Sequence, residues 1–398
     1  MIKADIPLLR NRPDLVYLDS AATTQKPDAV IDAMTAMYTH QYATVHRGVY
    51  RLSAESTAAY AKARRDVAAF VNAKQDRNIV FTKGTTDGIN LVARGFVRSL
   101  LQPGDTIVVS AIEHHANMVP WQMMAKEAQA RVVYVPVDSY GHLDMVQFQA
   151  ALTDRTRFVA LTQVSNALGS VFPVDDCVRL AKSKHIPILI DGAQAIAHDG
   201  VDLHELDPDF YCFSGHKMYG PTGIGVCYMN DRVIDRVAPI TFGGDMIERV
   251  THEATTFAKP PIVFEAGTPA IVEAIGLGAA VAYIQSVGLP AIQAHERDLT
   301  NYAYTRLSQL DFLQLYGPKP AESPIISFNV RDVHPHDVGS ILDQDGIAIR
   351  VGHHCSQPTM AHLQVVATAR VSLAAYNTMN DIDRLCDSLH RVQEVFLT

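Results

Sequence analysis

The chain has 398 residues, 48% hydrophobic and 19% charged, with a formal net charge of −8. That length predicts two units, or one large α/β unit with an appendage, and an acidic balance without a long basic run argues against nucleic acid as a partner. Five scattered cysteines without a CxxC pair, and no charged-then-apolar leader after Met1, point to a reducing cytoplasm rather than a secreted, disulfide-bonded protein.

Residues 1–18 form a short lead-in containing Pro7 and Pro13. Val16 to Ser20 predicts a short strand running into a small-residue turn. Helical spacing follows from Pro27 to His40, and Arg51 to Asn72 is a long amphipathic helix. Strands and helices then alternate. Strands are predicted at 79–82, 106–110, 131–137, 158–162, 186–191, 209–213 and 225–228. Helices are predicted from Gly84 to Leu100, His114 to Gln129 and Asp175 to Lys184. Seven apolar strands mostly separated by helices predict a largely parallel sheet covered on both faces. The last two strands, joined by a short Gly-rich link, could pair antiparallel. Residues 232–266 are loop-rich.

Ala274 to Ala294 carries no charge. Gln285, Ser286, Gly288 and Pro290 interrupt it, so a buried helix ending near Gly288 is expected there instead of a membrane span. Beyond Pro290 a helix covers about 291–310, strand-like pieces lie at 325–329 and 347–350, and a helix closes the chain at 381–396. The expected division is a large unit over 19–290 and a smaller α+β unit made of 1–18 with 291–398.

In an open parallel sheet, ligands bind beyond the carboxyl ends of the strands. The chain places reactive residues there. Lys217 follows the apolar strand that ends before Ser214-Gly215. A lysine amine partly removed from water loses basicity and becomes nucleophilic, which suits Schiff-base chemistry with pyridoxal 5'-phosphate. Gly84-Thr85-Thr86 opens a helix and offers N–H groups and two hydroxyls to a phosphate; Thr as a plain helix cap is the alternative. Asp191 closes a very apolar strand and needs a cation such as a protonated pyridine nitrogen to remain ionised. Gln194 could bond the phenolic oxygen of the same ring. His114 could stack on the ring, and Asn166 could reach it. Ser214 and His216 flank Lys217 and could bind phosphate.

A second reactive stretch is Arg350-Val351-Gly352-His353-His354-Cys355-Ser356-Gln357-Pro358. Gly352 and Pro358 bracket a short loop, and two histidines beside Cys355 favour a thiolate. Zinc held by His353, His354 and Cys355 is the alternative, although three adjacent ligands wrap one tetrahedral ion poorly. Arg370 supplies a planar fork suited to an amino-acid carboxylate, or else a surface ion pair.

With these residues assembled, the chain resembles fold-type I pyridoxal-phosphate enzymes, and within them the group II, SufS-type cysteine desulfurases. The resemblance runs nearly end to end. It is carried by Tyr17-Leu18-Asp19-Ser20-Ala21-Ala22, Val45-His46-Arg47-Gly48, Gly84-Thr85-Thr86, Glu113-His114-His115-Ala116-Asn117, Asp191-Gly192-Ala193-Gln194, Ser214-Gly215-His216-Lys217, Glu265-Ala266-Gly267-Thr268-Pro269 and the Cys355 loop. Asp87 departs from the glutamate of some members.

The resemblance implies that Lys217 carries the cofactor, that His114 stacks on its ring, and that Asp191 and Gln194 hold the ring nitrogen and oxygen. It implies that Thr85, Thr86, Ser214 and His216 surround the phosphate, and that Asn166 lies against cofactor and substrate. Thr268 would reach the phosphate of a second subunit, making a homodimer. Arg370 and His46 would contact L-cysteine, and Cys355 would take its sulfur. His334-Pro335-His336-Asp337 is similar to the branch that hands sulfur to the zinc-containing acceptor SufU, through the histidine at 336, in preference to SufE. The implied activity converts L-cysteine to L-alanine, with a Cys355 persulfide serving iron–sulfur cluster assembly. A selenocysteine lyase, an aminotransferase and a catalytically inert scaffold are the alternatives.

Overall fold

Six strands point the same way through the centre of the chain because the connection after each of the first five crosses back before the next strand begins. The computed structural model describes residues 2–396. In chain order the strands are β1 (Val16–Tyr17), β2 (Ile79–Thr82), β3 (Thr106–Ser110), β4 (Arg131–Val135), β5 (Thr156–Thr162), β6 (Ile188–Asp191), β7 (Phe210–Ser214) and β8 (Gly225–Met229). Then come β9 (Ile247–Val250), β10 (Thr255–Phe257), β11 (Leu313–Tyr316), β12 (Ile325–Val330), β13 (Ile347–Ala348), β14 (Arg350–Gly352) and β15 (Thr368–Ser372).

The main sheet has the order β2-β8-β7-β6-β5-β3-β4. Strands β4, β3, β5, β6 and β7 pair in parallel, and β8 runs antiparallel between β7 and β2. The sheet is therefore mostly parallel, and its last consecutive pair is the antiparallel one. Strands β3, β6, β7 and β8 are buried at every position, as a sheet covered on both faces requires. Alternation still sorts their side chains. Val108, Val159, Ile190 and Phe213 join one core cluster, while Val109, Ala160, Leu189 and Cys212 join the other.

The smaller sheet is antiparallel, in the order β11-β12-β15-β14. Ile326, Phe328, Val330, Ala369 and Val371 enter one core with residues of the helices Leu289–Ser308, Pro335–Gln344 and Met379–Phe396. The alternate residues meet the large unit: Ser327 Oγ donates to the Ala167 carbonyl at 2.6 Å and Arg370 Nη1 to the Asn166 carbonyl at 2.7 Å. The second side of this sheet thus becomes one wall of the cleft beyond the main strands.

Several expectations shift. The lead-in divides: Ile2, Ile6 and Leu9 pack in the large core, whereas β1 pairs in parallel with β13. The expected strand 347–350 is two strands with different partners, β13 on β1 and β14 on β15. Strands β11 and β15 were not anticipated, because each is short and one face of β15 is polar. The loop-rich region contains the hairpin β9–β10, with Val250 and Phe257 exposed. The helix expected from His114 begins only at Val119, because Pro120 fixes its first turn and His114 caps the preceding turn at Ala116. The uncharged stretch forms the buried helix Ile271–Val287, and Gly288 ends it with φ +89°. Among the described residues no single helix is long and apolar enough to cross a membrane; the adjoining Ile271–Val287 and Leu289–Ser308 pass that test only as a pair bent by 76°.

Candidate active site

Beyond the carboxyl ends of β2, β3, β5, β6 and β7 lies a cavity of about 190 Å³. It brings together Lys217, Cys355, His114, Thr85, Thr86, Asn166, Asp191, Gln194, Ser214, His216 and Arg370. A hollow of about 370 Å³ shares Thr85, Thr86, Ser214 and His216 with it. A further hollow, of about 890 Å³, lies at the β11 edge of the small sheet and shares no residue with either.

The phosphate end follows from local structure. Thr85 begins the helix Thr85–Val92, and its N–H and hydroxyl both meet Ser214 Oγ, at 2.8 and 2.7 Å. Ser214 is the last residue of β7, so this contact locks the cradle to the strand carrying Lys217. Close backbone approach is required here: a Cβ on Gly225 would meet the Gly84 Cα at 2.5 Å. The turn carrying Lys217 is held from the N-terminal segment, because the His216 carbonyl accepts from the Thr24 N–H at 2.9 Å and the Thr23 hydroxyl at 3.0 Å.

Burial pushes the Lys217 ammonium down to about 8; Asp191 opposes this and Arg370 and Arg350 add to it. Burial also drives His114 to about 3 and His216 to about 4, so both rings are neutral at ordinary pH. His114 Nδ1 accepts from the Ala116 N–H at 3.0 Å, which leaves the ring proton on Nε2. Asp191 is buried, and among the described residues its carboxylate accepts from the Ala193 N–H alone, at 3.0 Å. Burial raises its carboxyl pKa, against Ala193 and Lys217. Gln194 Nε2 donates to the Ala21 carbonyl at 2.9 Å.

The opposite wall comes from the small unit. Arg370, 2% exposed, donates from Nη1 to the Asn166 carbonyl at 2.7 Å and from Nη2 to Asp19 Oδ1 at 3.0 Å. Its Nε has no hydrogen-bond partner among the described residues. Cys355 sits in a tight loop with φ +55°, after His354 at +51° and Gly352 at +121°. Two successive non-glycine residues in the left-handed region are costly, and neighbours hold them there. The His115 N–H donates to the Cys355 carbonyl at 2.8 Å, Asn166 Nδ2 to the His354 carbonyl at 2.6 Å, and Ser356 Oγ to the Glu113 carbonyl at 3.0 Å. Cys355 is half-buried, whereas Cys177, Cys212, Cys227 and Cys386 are all buried. Among the described residues no cluster suited to a metal ion occurs, and His354 Nε2 instead meets Thr368 Oγ1 at 2.9 Å.

His46, Thr268 and His336 are not brought to this cavity. His46 and Thr268 are exposed, and the His46 ring packs on Tyr60 with centroids 5.9 Å apart. His336 is exposed in the first turn of Pro335–Gln344. Residues missed earlier are Arg350, His354 and Asp19. Arg350 lies opposite Arg370 in the β14–β15 register and carries Nη2 4.0 Å from Cys355 Sγ. Its signal was present, five residues before the cysteine on a short strand, but nothing local says which face it occupies.

The donor set fits pyridoxal 5'-phosphate. A helix N-terminus with hydroxyls suits the phosphate, a buried carboxylate with one hydrogen bond has no ion-pair partner among the described residues, and a low-pKa amine borders the same cavity. Fold and site together define a pyridoxal-phosphate enzyme of fold type I. The chain belongs to the aminotransferase class-V family, whose pattern it matches over residues 16–385. It is 48% identical to the cysteine desulfurases of Dickeya dadantii and Serratia proteamaculans, over 99% of this chain and 96% and 98% of theirs. It superposes on the apo cysteine desulfurase of Thermococcus onnurineus NA1 with a TM-score of 0.95 at 37% identity, covering 99% of this chain and 98% of that one. The Escherichia coli cysteine desulfurase CsdA, in its S-sulfonic acid form, gives 0.93 at 38% identity with the same coverage.

Proposed function

We propose that the chain is a pyridoxal-phosphate-dependent cysteine desulfurase of the SufS type. It takes sulfur from L-cysteine as a persulfide on Cys355, releases L-alanine, and supplies an acceptor for iron–sulfur cluster assembly. The observation that carries this reading is that Lys217 and Cys355 border one cavity, with Arg370 in its wall. An aminotransferase has no use for a half-buried thiol held there on a strained loop. The relatives named cysteine desulfurase support the same activity.

Bound pyridoxal phosphate supplies a carbonyl for the substrate amine and an electron sink for the Cα carbanion. The chain's own residues do the rest. Arg370 grips the substrate carboxylate and aims Cα at Lys217. The Lys217 amine, with its pKa near 8, removes a proton at Cα and returns one later. Asp191 would keep the ring nitrogen of the bound cofactor protonated, and neutral His114 would help to hold its ring. The Cys355 thiolate attacks the substrate sulfur. The new S–S bond forms as the C–S bond breaks, that electron pair stays with carbon, and protonation yields alanine.

The dimer is part of the proposal. Thr268 and His46 are exposed and outside their own cavity, so each would serve a second subunit. His336, exposed at a helix start, supports a SufU-type acceptor over SufE. Five free thiols suit a cytoplasmic setting. The test is conversion of L-cysteine to alanine and sulfide, with mass-spectrometric search for a persulfide. Cys355→Ala should lose sulfur transfer while still binding the cofactor; full turnover by that variant would falsify the nucleophile assignment.

A further inference from the structure

Arg370 is a buried cation directly opposite a second one. Its Cα pairs with that of Arg350 across β14 and β15, and like charges in that register repel. A guanidinium in that position needs both a counter-charge and something to fix its plane. The N-terminal segment provides them. Beyond β1 the chain continues beside β15: the Ser372 N–H donates to the Leu18 carbonyl at 2.7 Å, and Asp19 forms a parallel bridge to Ser372. This brings the Asp19 carboxylate to Arg370 Nη2 at 3.0 Å, while the Asn166 carbonyl holds Nη1 at 2.7 Å. The two acceptors tether separate nitrogens, and among the described residues Nε is left without a partner. Two residues further on, Ala21 and Ala22 line the cavity.

We propose that Asp19 is the positioning residue of the carboxylate grip: it neutralises Arg370 and fixes its fork before the substrate arrives. The inference rests on the reading that Arg370 binds the substrate carboxylate. A guanidinium tethered at two nitrogens loses little freedom when a third partner binds, which is the gain from preorganisation. The Asp19 side chain is 22% exposed and that of Arg370 2%, so the pair sits at the edge of the cavity with the arginine inside. The charges of Lys217 and Arg350 also act on Asp19, which makes it a counter-charge for this cationic side of the site.

The test uses the holoenzyme and two fragments of the substrate as competitive inhibitors. 3-Mercaptopropionate keeps the carboxylate and thiol without the amine; cysteamine keeps the amine and thiol without the carboxylate. Asp19→Ala should raise the KM for L-cysteine and the inhibition constant of 3-mercaptopropionate about tenfold, the scale of one charge-assisted hydrogen bond. Its kcat should change less than about threefold, since the chemical groups remain in place. Asp19→Asn keeps an acceptor oxygen for Nη2 and should show a smaller rise. Cysteamine inhibition should stay constant in both variants. An unchanged constant for 3-mercaptopropionate, or an equal loss for both inhibitors, overturns the proposal. Arg370→Ala separates the two levels: if it leaves 3-mercaptopropionate binding intact, the arginine assignment fails and the inference with it. If Arg370→Ala weakens that binding while both Asp19 variants behave as the parent, the Asp19 role alone is wrong.

Discussion

The side-chain amide of Asn166 donates to the backbone carbonyl of His354 at 2.6 Å, while the Asn166 carbonyl accepts from Arg370 at 2.7 Å. One residue of the large unit therefore ties the Arg370 guanidinium to the loop that carries Cys355. The two contacts use different atoms, so they can be broken separately.

Asn166→Ala removes the loop contact and keeps the backbone contact. The His354 carbonyl loses its donor, and the left-handed turn at His354 and Cys355 loses one restraint. Alkylation of Cys355 by iodoacetamide should accelerate several-fold, and kcat/KM for L-cysteine should fall about tenfold, as for one lost hydrogen bond to a positioned loop. Unchanged alkylation kinetics would show that other contacts alone hold the loop.

Lys217 gives a pH dependence of defined sign. Its folded pKa of about 8 lies below the ordinary 10.5, because burial penalises the ammonium. Between those values the unfolded chain binds more protons than the folded one, so this group's contribution to stability rises with pH and is unfavourable at neutral pH. Cofactor-free Lys217→Met should unfold at higher urea concentration than the parent at pH 7. The gap should narrow as pH climbs through 8 toward 10.5. A gap constant across that range contradicts the low amine pKa.

Glu265 is buried against Arg64, with contacts at 2.6 and 2.7 Å, and also accepts from the Phe81 N–H at 2.8 Å and the Tyr60 hydroxyl at 3.0 Å. Arg64 lies over the Phe81 ring, 4.5 Å from its centroid. Glu265→Gln strands a buried guanidinium and should cost about 3–5 kcal/mol in denaturant unfolding. Because Phe81 precedes the phosphate cradle and Thr268 follows Glu265 by three residues, cofactor retention on dilution should fall as well. A variant as stable as the parent would mean that Arg64 finds another counter-charge.

In the proposed function, His336 acts in sulfur delivery and not in sulfur acceptance. It is exposed, and its N–H is held by His334 Nδ1 at 3.2 Å at the start of Pro335–Gln344. His336→Ala should leave turnover without an acceptor within about twofold, since the residue lies outside the Lys217 cavity. Stimulation by a zinc-containing SufU-type acceptor should be lost. Equal stimulation of variant and parent would remove the histidine from the transfer step.

Much of the site is legible in the chain because each piece is local. Asp191 and Ser214 are the last residues of β6 and β7, and Thr85 is the first of its helix, so strand and helix patterns already put them at one end of the sheet. Lys217 lies three residues past its strand. The hairpin β9–β10 was not legible: its residues alternate poorly and are largely exposed, so no buried face marks them. Strand β15 was missed for a related reason. Thr368, Arg370 and Ser372 make its inner face polar, and only the cleft they line explains why such residues are buried.

Periodicity and strand-end chemistry, read from the chain alone, marked out the seven-stranded sheet and put Gly84-Thr85-Thr86 and Lys217 forward as candidates at one end of it, since those features depend on residues a few positions apart. Tertiary structure decided the substrate side of the site. The contacts of Asn166 with His354 and Arg370 depend on how two sheets face each other, and the pairs Asp19–Arg370 and Arg350–Arg370 depend on which distant segments flank β15. No local pattern encodes that relation, because hydrophobic spacing reports which face of an element is buried and not which distant element buries it.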